Sequence, residues 1–306
     1  MEDFPKTLAE FEKWFRKNAD CREYLFRMRW PDGFRCPRCN HGKAWPVGKV
    51  RYECTRCGYQ ASVIAGTILQ DTHKPLTMWF RAMWWVTSQK TGASALGLQR
   101  VLGLGSYQTA WTWLHKLRRA MVRPGRDRLA GRVEVDETYV GGVDAGGGRR
   151  HLGNKALVAI AAHVDGKGIG RVRLSRISDA SAECLGSFVS EAVEPKSTVI
   201  TDGWPGYEGL SGKGYKHHVR PLGGNPEKAS KLLPRVHRVA SLLKRWLMGT
   251  HQGAVSREHL DYYLDEFTFR FNRRASKSRG KLFYRLVQQA LAIDPVPYAE
   301  LRGGSS

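Results

Sequence analysis

The sequence predicts an α/β chain in three consecutive parts: a small metal-held ribbon, a helix-turn-helix, and a larger domain with a mixed sheet flanked by helices. Three observations lead there. Two Cys-x-x-Cys pairs, Cys36/Cys39 and Cys54/Cys57, stand fourteen residues apart. Two helical patterns, Ala93–Leu102 and Tyr107–Val122, are joined by the turn Gly103-Leu104-Gly105. From Gly131 onward the apolar spacing changes from the helical period to the alternation of strands.

Taken in order, residues 1–30 form a helical segment, because Thr7-Leu8-Ala9-Glu10 fits a capping box and Leu8, Phe11, Trp14 and Phe15 follow at helical spacing. Residues 31–62 are rich in turns and too short to bury a core, so a metal must hold them. Four thiolates at Cys36, Cys39, Cys54 and Cys57 make the tetrahedral set that structural Zn²⁺ prefers, with His41 a turn residue beside them. Cys21 and Cys184 stand alone and read as bystander thiols.

Residues 63–125 hold the helix-turn-helix. Pro75 opens a helix carrying Trp79, Phe80, Met83, Trp84 and Val86, and Ser106 caps the last helix, whose basic residues are His115, Lys116, Arg118 and Arg119. That pattern suits a DNA groove, with Gln108, Thr109 and Thr112 as base-edge candidates. The α/β domain covers 130–292. Its strands are Arg132–Val140, the hairpin Ala156–Val164 and Gly170–Arg176, and Ser197–Thr201. Ser181–Ala192, Leu233–Leu247 and His259–Arg273 read as helices, residues 203–233 as loop and 293–306 as a tail, disordered from Leu301 to Ser306.

Composition bounds the partners. The 306 residues suffice for roughly two domains, and with 42% hydrophobic residues the chain buries a core. Lysine and arginine number 50 against 28 acids, a net charge of +22, so a polyanion is expected: nucleic acid first, an anionic membrane second. Membrane binding is disfavoured, since no basic amphipathic helix stands apart from the folded parts. The most apolar stretches, Leu76–Val86 and Ala156–Val164, are too short to span a bilayer, and Met1–Thr7 lacks a secretory pattern. A cytoplasmic, nucleoid-associated protein is expected.

Asp136 lies in Val133-Glu134-Val135-Asp136-Glu137-Thr138-Tyr139, where alternation puts Glu134 and Asp136 on one face and Glu137 on the other. Asp202 ends a β-branched strand and enters Gly203-Trp204-Pro205-Gly206. An aspartate at a strand end is by itself more often a turn cap. Beside DNA-binding modules, however, two such acids on neighbouring strands suit paired divalent cations and phosphoryl transfer.

The chain resembles the zinc-ribbon branch of bacterial insertion-sequence transposases, the group related to eukaryotic Merlin elements, over about residues 30–290. The resemblance rests on the cysteine pairs, Gly66-Thr67 through Thr72-His73-Lys74-Pro75-Leu76, Trp79-Phe80, and Val135-Asp136-Glu137-Thr138-Tyr139-Val140-Gly141-Gly142. It continues through Thr201-Asp202-Gly203, Leu243-Lys244-Arg245, Gly249-Thr250-His251, and Tyr263 to Phe267 with Phe271-Asn272-Arg273. It implies an RNase H-like catalytic domain of the DDE type. Such a domain cuts double-stranded DNA at the inverted-repeat ends of an element and joins the 3′-hydroxyls to target DNA, using Mg²⁺ or Mn²⁺. It also implies a homo-oligomer, a dimer or higher, on DNA.

By the same resemblance Asp136 and Asp202 are the first two acids and Lys244 the following basic residue. The third member, Glu or Asn in relatives, falls on His237, after a gap of 34 residues from Asp202. His237, Ser241 and Lys244 share a helix stripe beside the apolar stripe Val236, Ala240, Leu243 and Leu247. Imidazole suits Mn²⁺ better than Mg²⁺, so His237 is either a weak ligand or a proton donor or phosphate contact. Glu266 and Asn272 compete for the third place.

Arg270, Arg273, Arg274, Lys277, Arg279, Lys281 and Arg285 form an acid-free run that suits phosphate contacts. Trp84, Trp85, Trp111 and Trp113 read as core, and Trp204 as a platform for a flipped base. The rival function is a non-catalytic, sequence-specific DNA-binding protein, a domesticated or decayed transposase, for which the missing third acid speaks.

Overall fold

A computed structural model of the chain describes residues 3–123, 125–141, 155–221, 231–253 and 255–303. Gly142 of the strand motif, part of the 203–233 stretch and the last three tail residues lie outside these. Two compact units form, one of residues up to 123 together with Ser276–Gly303, the other of the residues from there to Ala275. Among the described residues no helix is long and apolar enough to cross a membrane.

The first unit begins with α1 (Leu8–Trp14), where the Thr7 hydroxyl accepts from the Glu10 N–H as expected of a cap, and α2 (Asn18–Arg29). The antiparallel ribbon follows, in the order β1 (Ala44–Val47), β2 (Arg51–Cys54), β3 (Gln60–Ser62). Next come α3 (Leu76–Ser88), α4 (Ala95–Leu102) and α5 (Tyr107–Arg119). The helix Arg279–Ala290 returns to pack on α3, and its Phe283 sits fully buried among Phe11, Phe15, Phe80 and Trp84. Edge-on aromatic pairs of this kind add to the area they bury. Trp113 stacks on Trp79 with ring centroids 3.9 Å apart, in the core as expected.

Two features of this unit differ from the sequence reading. The expected tail contains a helix, Tyr298–Gly303. It is held by buried Leu301, by an ion pair of 2.8 Å between Glu300 and Arg119, and by the Tyr298 hydroxyl, which accepts from Gln108. A single leucine among polar residues gives no periodicity, so only the packing reveals it. Second, the basic residues of α5 are not a solvated stripe. His115 and Arg118 are buried, Arg118 donates to the Ala93 carbonyl, and Arg119 is spent on Glu300. The helix-turn-helix geometry itself is as expected: Gly103 takes the left-handed conformation at φ 61° and Ser106 caps α5.

The second unit is built on a five-stranded sheet ordered β6-β5-β4-β7-β8. Its strands are β4 (Arg132–Val140), β5 (Ala156–Asp165), β6 (Gly168–Ile177), β7 (Thr198–Thr201) and β8 (Lys216–Val219). The first three are antiparallel neighbours, and β7 and β8 add in parallel, which is the RNase H-like mixed sheet. Helix α6 (Ala182–Ala192), capped by Ser181, and 3₁₀ turns at Pro205–Lys213 cover one face. Helices α7 (Pro234–His251) and α8 (Leu260–Asn272) cover the other. The central strands are buried on both faces, so β5 reads as a continuous apolar run. The stretch 203–233, expected to be loop, contains the 3₁₀ turns and β8. An edge strand reading Lys-His-His-Val has no apolar alternation to announce it.

Candidate active site

The sheet register brings the two aspartates together. Arg132, Val133 and Glu134 pair with Thr198, Val199 and Ile200 on the parallel strand β7. Continuing that register sets Asp136, midway along β4, beside Asp202, just past the carboxyl end of β7. Asp202 is half-buried, and its Oδ1 accepts from the Trp204 N–H at 2.9 Å, which holds the carboxylate at the turn. Gly203 is required there. Its φ is 94°, and a Cβ would lie 2.9 Å from a methyl of Val219.

Helix α7 supplies the third side chain. His237 Nε2 lies 3.4 Å from Asp136 Oδ2, so the structure places at the carboxylates the residue that the resemblance selected. Neither competitor joins it. Asn272 donates to and accepts from the backbone of Val172 on β6, two strands or roughly 10 Å from β4. Buried Glu266 accepts from Arg270 at 2.7–2.8 Å, an i,i+4 pair within α8. Lys244 lies two turns along α7 from His237. It lines a cavity of about 410 Å³ with an apolar floor, including Leu247 and Val255, and with Lys155 and Arg257 at its walls.

Glu137 was not singled out by spacing, because alternation aims it at the other side of β4. There its Oε2 accepts from the Tyr207 hydroxyl at 2.7 Å. Tyr207 is fully buried, and burial and the facing Glu137 push its hydroxyl well above the usual tyrosine range. Only the folded 3₁₀ segment reveals this pair.

Charge is concentrated where water is scarce. Burial, and then the charges of Glu137 and Asp202, push Asp136 up to about 8. Burial also raises Glu137. His237 is drawn below its ordinary value by burial, against the opposing pull of Glu134 and Asp202. Asp136 therefore keeps a proton in the fold that it loses in the unfolded chain above about pH 4. The folded state binds the extra proton, so stability falls as pH rises from about 4 to 8. His237, drawn down by burial, acts in the opposite direction below about pH 6.5, leaving the upper window to the acids. The unfolding temperature of the metal-free chain is accordingly expected to fall between pH 6.5 and 8. The fall should be shallower in Asp136→Asn, and equal slopes for the two proteins would refute this assignment.

The Asp136–His237 pair stands at a separation that fits a shared cation, although the ligand atoms of Asp136, Asp202 and His237 do not all come within 4.8 Å of one another. Asp136, pushed up by burial and then by the charges of Glu137 and Asp202, is an acid that a positive ion relieves. Ligands on one ion with bonds of about 2.1 Å stand about 3 Å apart, close to the separation of His237 Nε2 and Asp136 Oδ2. The zinc-type set has four ligands. The Sγ atoms of Cys36, Cys39, Cys54 and Cys57 lie within 4.8 Å of one another, and the Cys36–Cys57 and Cys39–Cys54 pairs are 3.6 Å apart. The edge of a tetrahedron with Zn–S bonds of about 2.3 Å is of that size. Among the described residues this is the one group of three or more metal-type ligands so close together.

The remaining candidates fall in both units. Trp204 is 47% exposed, and its indole N–H is fixed to the Ala180 carbonyl. In the basic run, Arg270 pairs with Glu266, Arg273 lies over Phe269, and Arg274 lies over Phe271 and donates to the Ile169 and Gly170 carbonyls. Lys277, Arg279 and Lys281 belong to the first unit and are exposed. Gln108 is engaged by Tyr298, Thr112 donates to the Gln108 carbonyl, and Thr109 is half-buried.

Residues 128–272 match the family profile described as ISXO2-like transposase domain, and residues 16–60 match the profile described as transposase zinc-ribbon domain. Among solved structures, the chain is similar to one in the simian T-cell lymphotropic virus intasome in complex with PP2A regulatory subunit B56 gamma. The identity is 13% over 62% of this chain and 70% of that one, with a TM-score of 0.33. It is also similar to chains of the Mos1 strand transfer complex (15% identity, 72% and 78% coverage, TM-score 0.28) and of the Mos1 transposase paired-end complex with left transposon end (13% identity, 72% and 78% coverage, TM-score 0.30). No curated protein matches the chain.

Proposed function

We propose, for a chain that belongs to the zinc-ribbon insertion-sequence transposases with a DDE-type RNase H-like domain, that it cuts DNA at the terminal inverted repeats of an element and joins the freed ends to target DNA. The observation that carries this reading is the juxtaposition of Asp136, midway along β4, with Asp202 at the end of the adjacent strand β7, and of His237 3.4 Å from Asp136.

In this reading Asp136 and Asp202 hold divalent cations, with His237 Nε2 as the third ligand. That set favours Mn²⁺ over Mg²⁺, because imidazole is the softer donor. Cations held there would supply activation of the attacking oxygen and stabilisation of the leaving one. No protein nucleophile takes part. Water attacks the phosphorus at the element's end and the P–O3′ bond breaks, leaving a 3′-hydroxyl. That hydroxyl then attacks a target phosphodiester and displaces its 3′ oxygen. Lys244 contacts a phosphate beside the scissile bond, and the cationic cavity along α7 accepts the adjoining backbone. The fixed, exposed ring of Trp204 stacks on an unpaired base.

Recognition of the ends belongs to the zinc ribbon and helix-turn-helix. The structure engages Gln108 with Tyr298, so base reading there requires Thr109, Thr112 or a released Gln108. Two ends must be cut and joined, which calls for a homo-oligomer on DNA. Incubation of the purified chain with duplexes ending in its element's inverted repeats and Mn²⁺ is expected to yield a new 3′-hydroxyl at each end and, with target DNA, joined products. Specific binding without metal-dependent cleavage would favour the non-catalytic rival, for which the histidine in place of an acid speaks.

A further inference from the structure

Glu134 precedes Asp136 by two residues on the same face of β4 and is only 1% exposed, yet it takes no part in the carboxylate cluster. Its two oxygens are spent on the start of α7. That helix has no side-chain cap of its own, and Pro234 at its first position has no N–H to satisfy. The next two N–H groups, of Arg235 and Val236, both donate to Glu134 Oε2, at 2.7 and 3.1 Å. The His237 N–H donates to the Leu233 carbonyl. Glu134 therefore acts as an N-cap delivered from a strand a hundred residues earlier, with its negative charge at the positive end of the helix.

The same carboxylate recruits a second tie. Glu134 Oε1 accepts from Arg235 Nη1 at 3.0 Å. The rest of that guanidinium donates to the β5–β6 turn, with Nε on the Gly168 carbonyl at 3.0 Å and Nη2 on the Gly166 carbonyl at 2.7 Å. One acid thus joins β4 to α7, and one arginine joins both to the neighbouring hairpin. Glu134 and Asp136 lie two residues apart on the strand. Arg235 and His237 lie two apart on the helix. Fixing Glu134 to residues 235 and 236 leaves His237 little freedom in where it meets Asp136.

We propose that Glu134 is the positioning residue of this site: by capping α7 it holds His237 against Asp136, and it is not itself a ligand. The functional meaning of this contact rests on the reading of Asp136, Asp202 and His237 as the catalytic set, whereas the positioning is a matter of geometry.

The full chain, ring-¹⁵N-labelled at histidine and free of metal, tests the geometry. The His237 imidazole signals are identified by their loss in His237→Ala. Glu134→Ala is expected to move them to the positions of a mobile, solvent-exposed histidine. Glu134→Gln, which keeps one acceptor oxygen and nearly the same shape, should move them part of the way and also guards against a failure of the alanine variant to fold. Unmoved His237 signals in the variants that fold would overturn the proposal.

Titration with Mn²⁺, followed by electron paramagnetic resonance, reads the consequence. Loss of an outer-shell partner typically weakens metal binding by about 10–100-fold, and that loss is expected for Glu134→Ala. Adding His237→Ala to it should cost nothing further, because both act through one contact, and losses that multiply would also overturn the proposal. If the wild type binds no Mn²⁺ while His237 responds to Glu134, the metal reading falls and the positioning stands. Tight Mn²⁺ binding with an unresponsive His237 is the reverse case.

Discussion

Asp136→Asn is expected to abolish metal-dependent strand cleavage while raising the stability of the metal-free chain, two effects of opposite sign from one atom. The loss of activity should be at least about a thousandfold, or about 4 kcal/mol of barrier. Asparagine keeps the shape but removes the charge that would share a cation with Asp202. The gain in stability follows from the cost of the native residue. Asp136 is buried beside Glu137 and Asp202 and is pushed up to about 8, so near neutrality the fold carries the burden of a carboxyl kept from its ionised form. Asparagine has no such burden. The unfolding temperature of Asp136→Asn should therefore exceed that of wild type at pH 8, and by less at pH 5. Saturating Mn²⁺ should stabilise the wild type far more than the variant. Cleavage by Asp136→Asn at the wild-type rate would remove the enzyme reading. Lower stability at every pH would mean that Asp136 is held by favourable contacts rather than strained by its neighbours.

The features legible in the sequence were those carried by local spacing. The cysteine pairs, the strand Arg132–Val140 and the turn at Gly103 depend on residues a few positions apart, and they lie where the spacing put them. His237 was reachable only by resemblance, since nothing local separates it from a packed histidine of a basic helix. What stayed hidden depends on partners far along the chain. Tyr207 meets Glu137 across seventy residues, and Glu134 caps a helix about a hundred residues on. The basic residues of α5 mislead for the same reason. Lysine and arginine count equally in a net charge, but Arg118 is folded inward onto the Ala93 carbonyl and Arg119 answers Glu300. The +22 therefore overstates the charge this helix offers to DNA. Exposed cations lie elsewhere, among them Arg238, Lys244 and Arg245 on α7 and Lys277, Arg279 and Lys281 in the first unit.

Removal of zinc is expected to unfold residues 36–62 and leave the five-stranded sheet intact. The ribbon's three strands have only four, four and three residues, and most of their side chains are exposed or half-buried. So little buried surface cannot offset the ordering of the chain, which costs about 1–2 kcal/mol per residue in backbone entropy alone. Phe26, Trp30 and Phe34 pack around Tyr52 of β2 and supply an apolar anchor. Four thiolates closing on Zn²⁺ supply apparent binding energies of about 10–16 kcal/mol in small zinc domains, enough to decide whether this piece folds. The sheet unit rests instead on two continuous apolar layers, one under α7 and α8 and one under α6, and needs no such clamp. Hydrogen exchange before and after chelation separates the cases. Amides of β1, β2 and β3 should lose protection while those of β4 and β5 keep theirs, and specific DNA binding should fail with the ribbon. Cys54→Ser, at a ligand only 1% exposed, should reproduce the pattern without a chelator and reduce the zinc bound from one per chain toward none. Protected ribbon amides in metal-free protein would show that the aromatic anchor suffices, and that the cysteines are not what holds the ribbon.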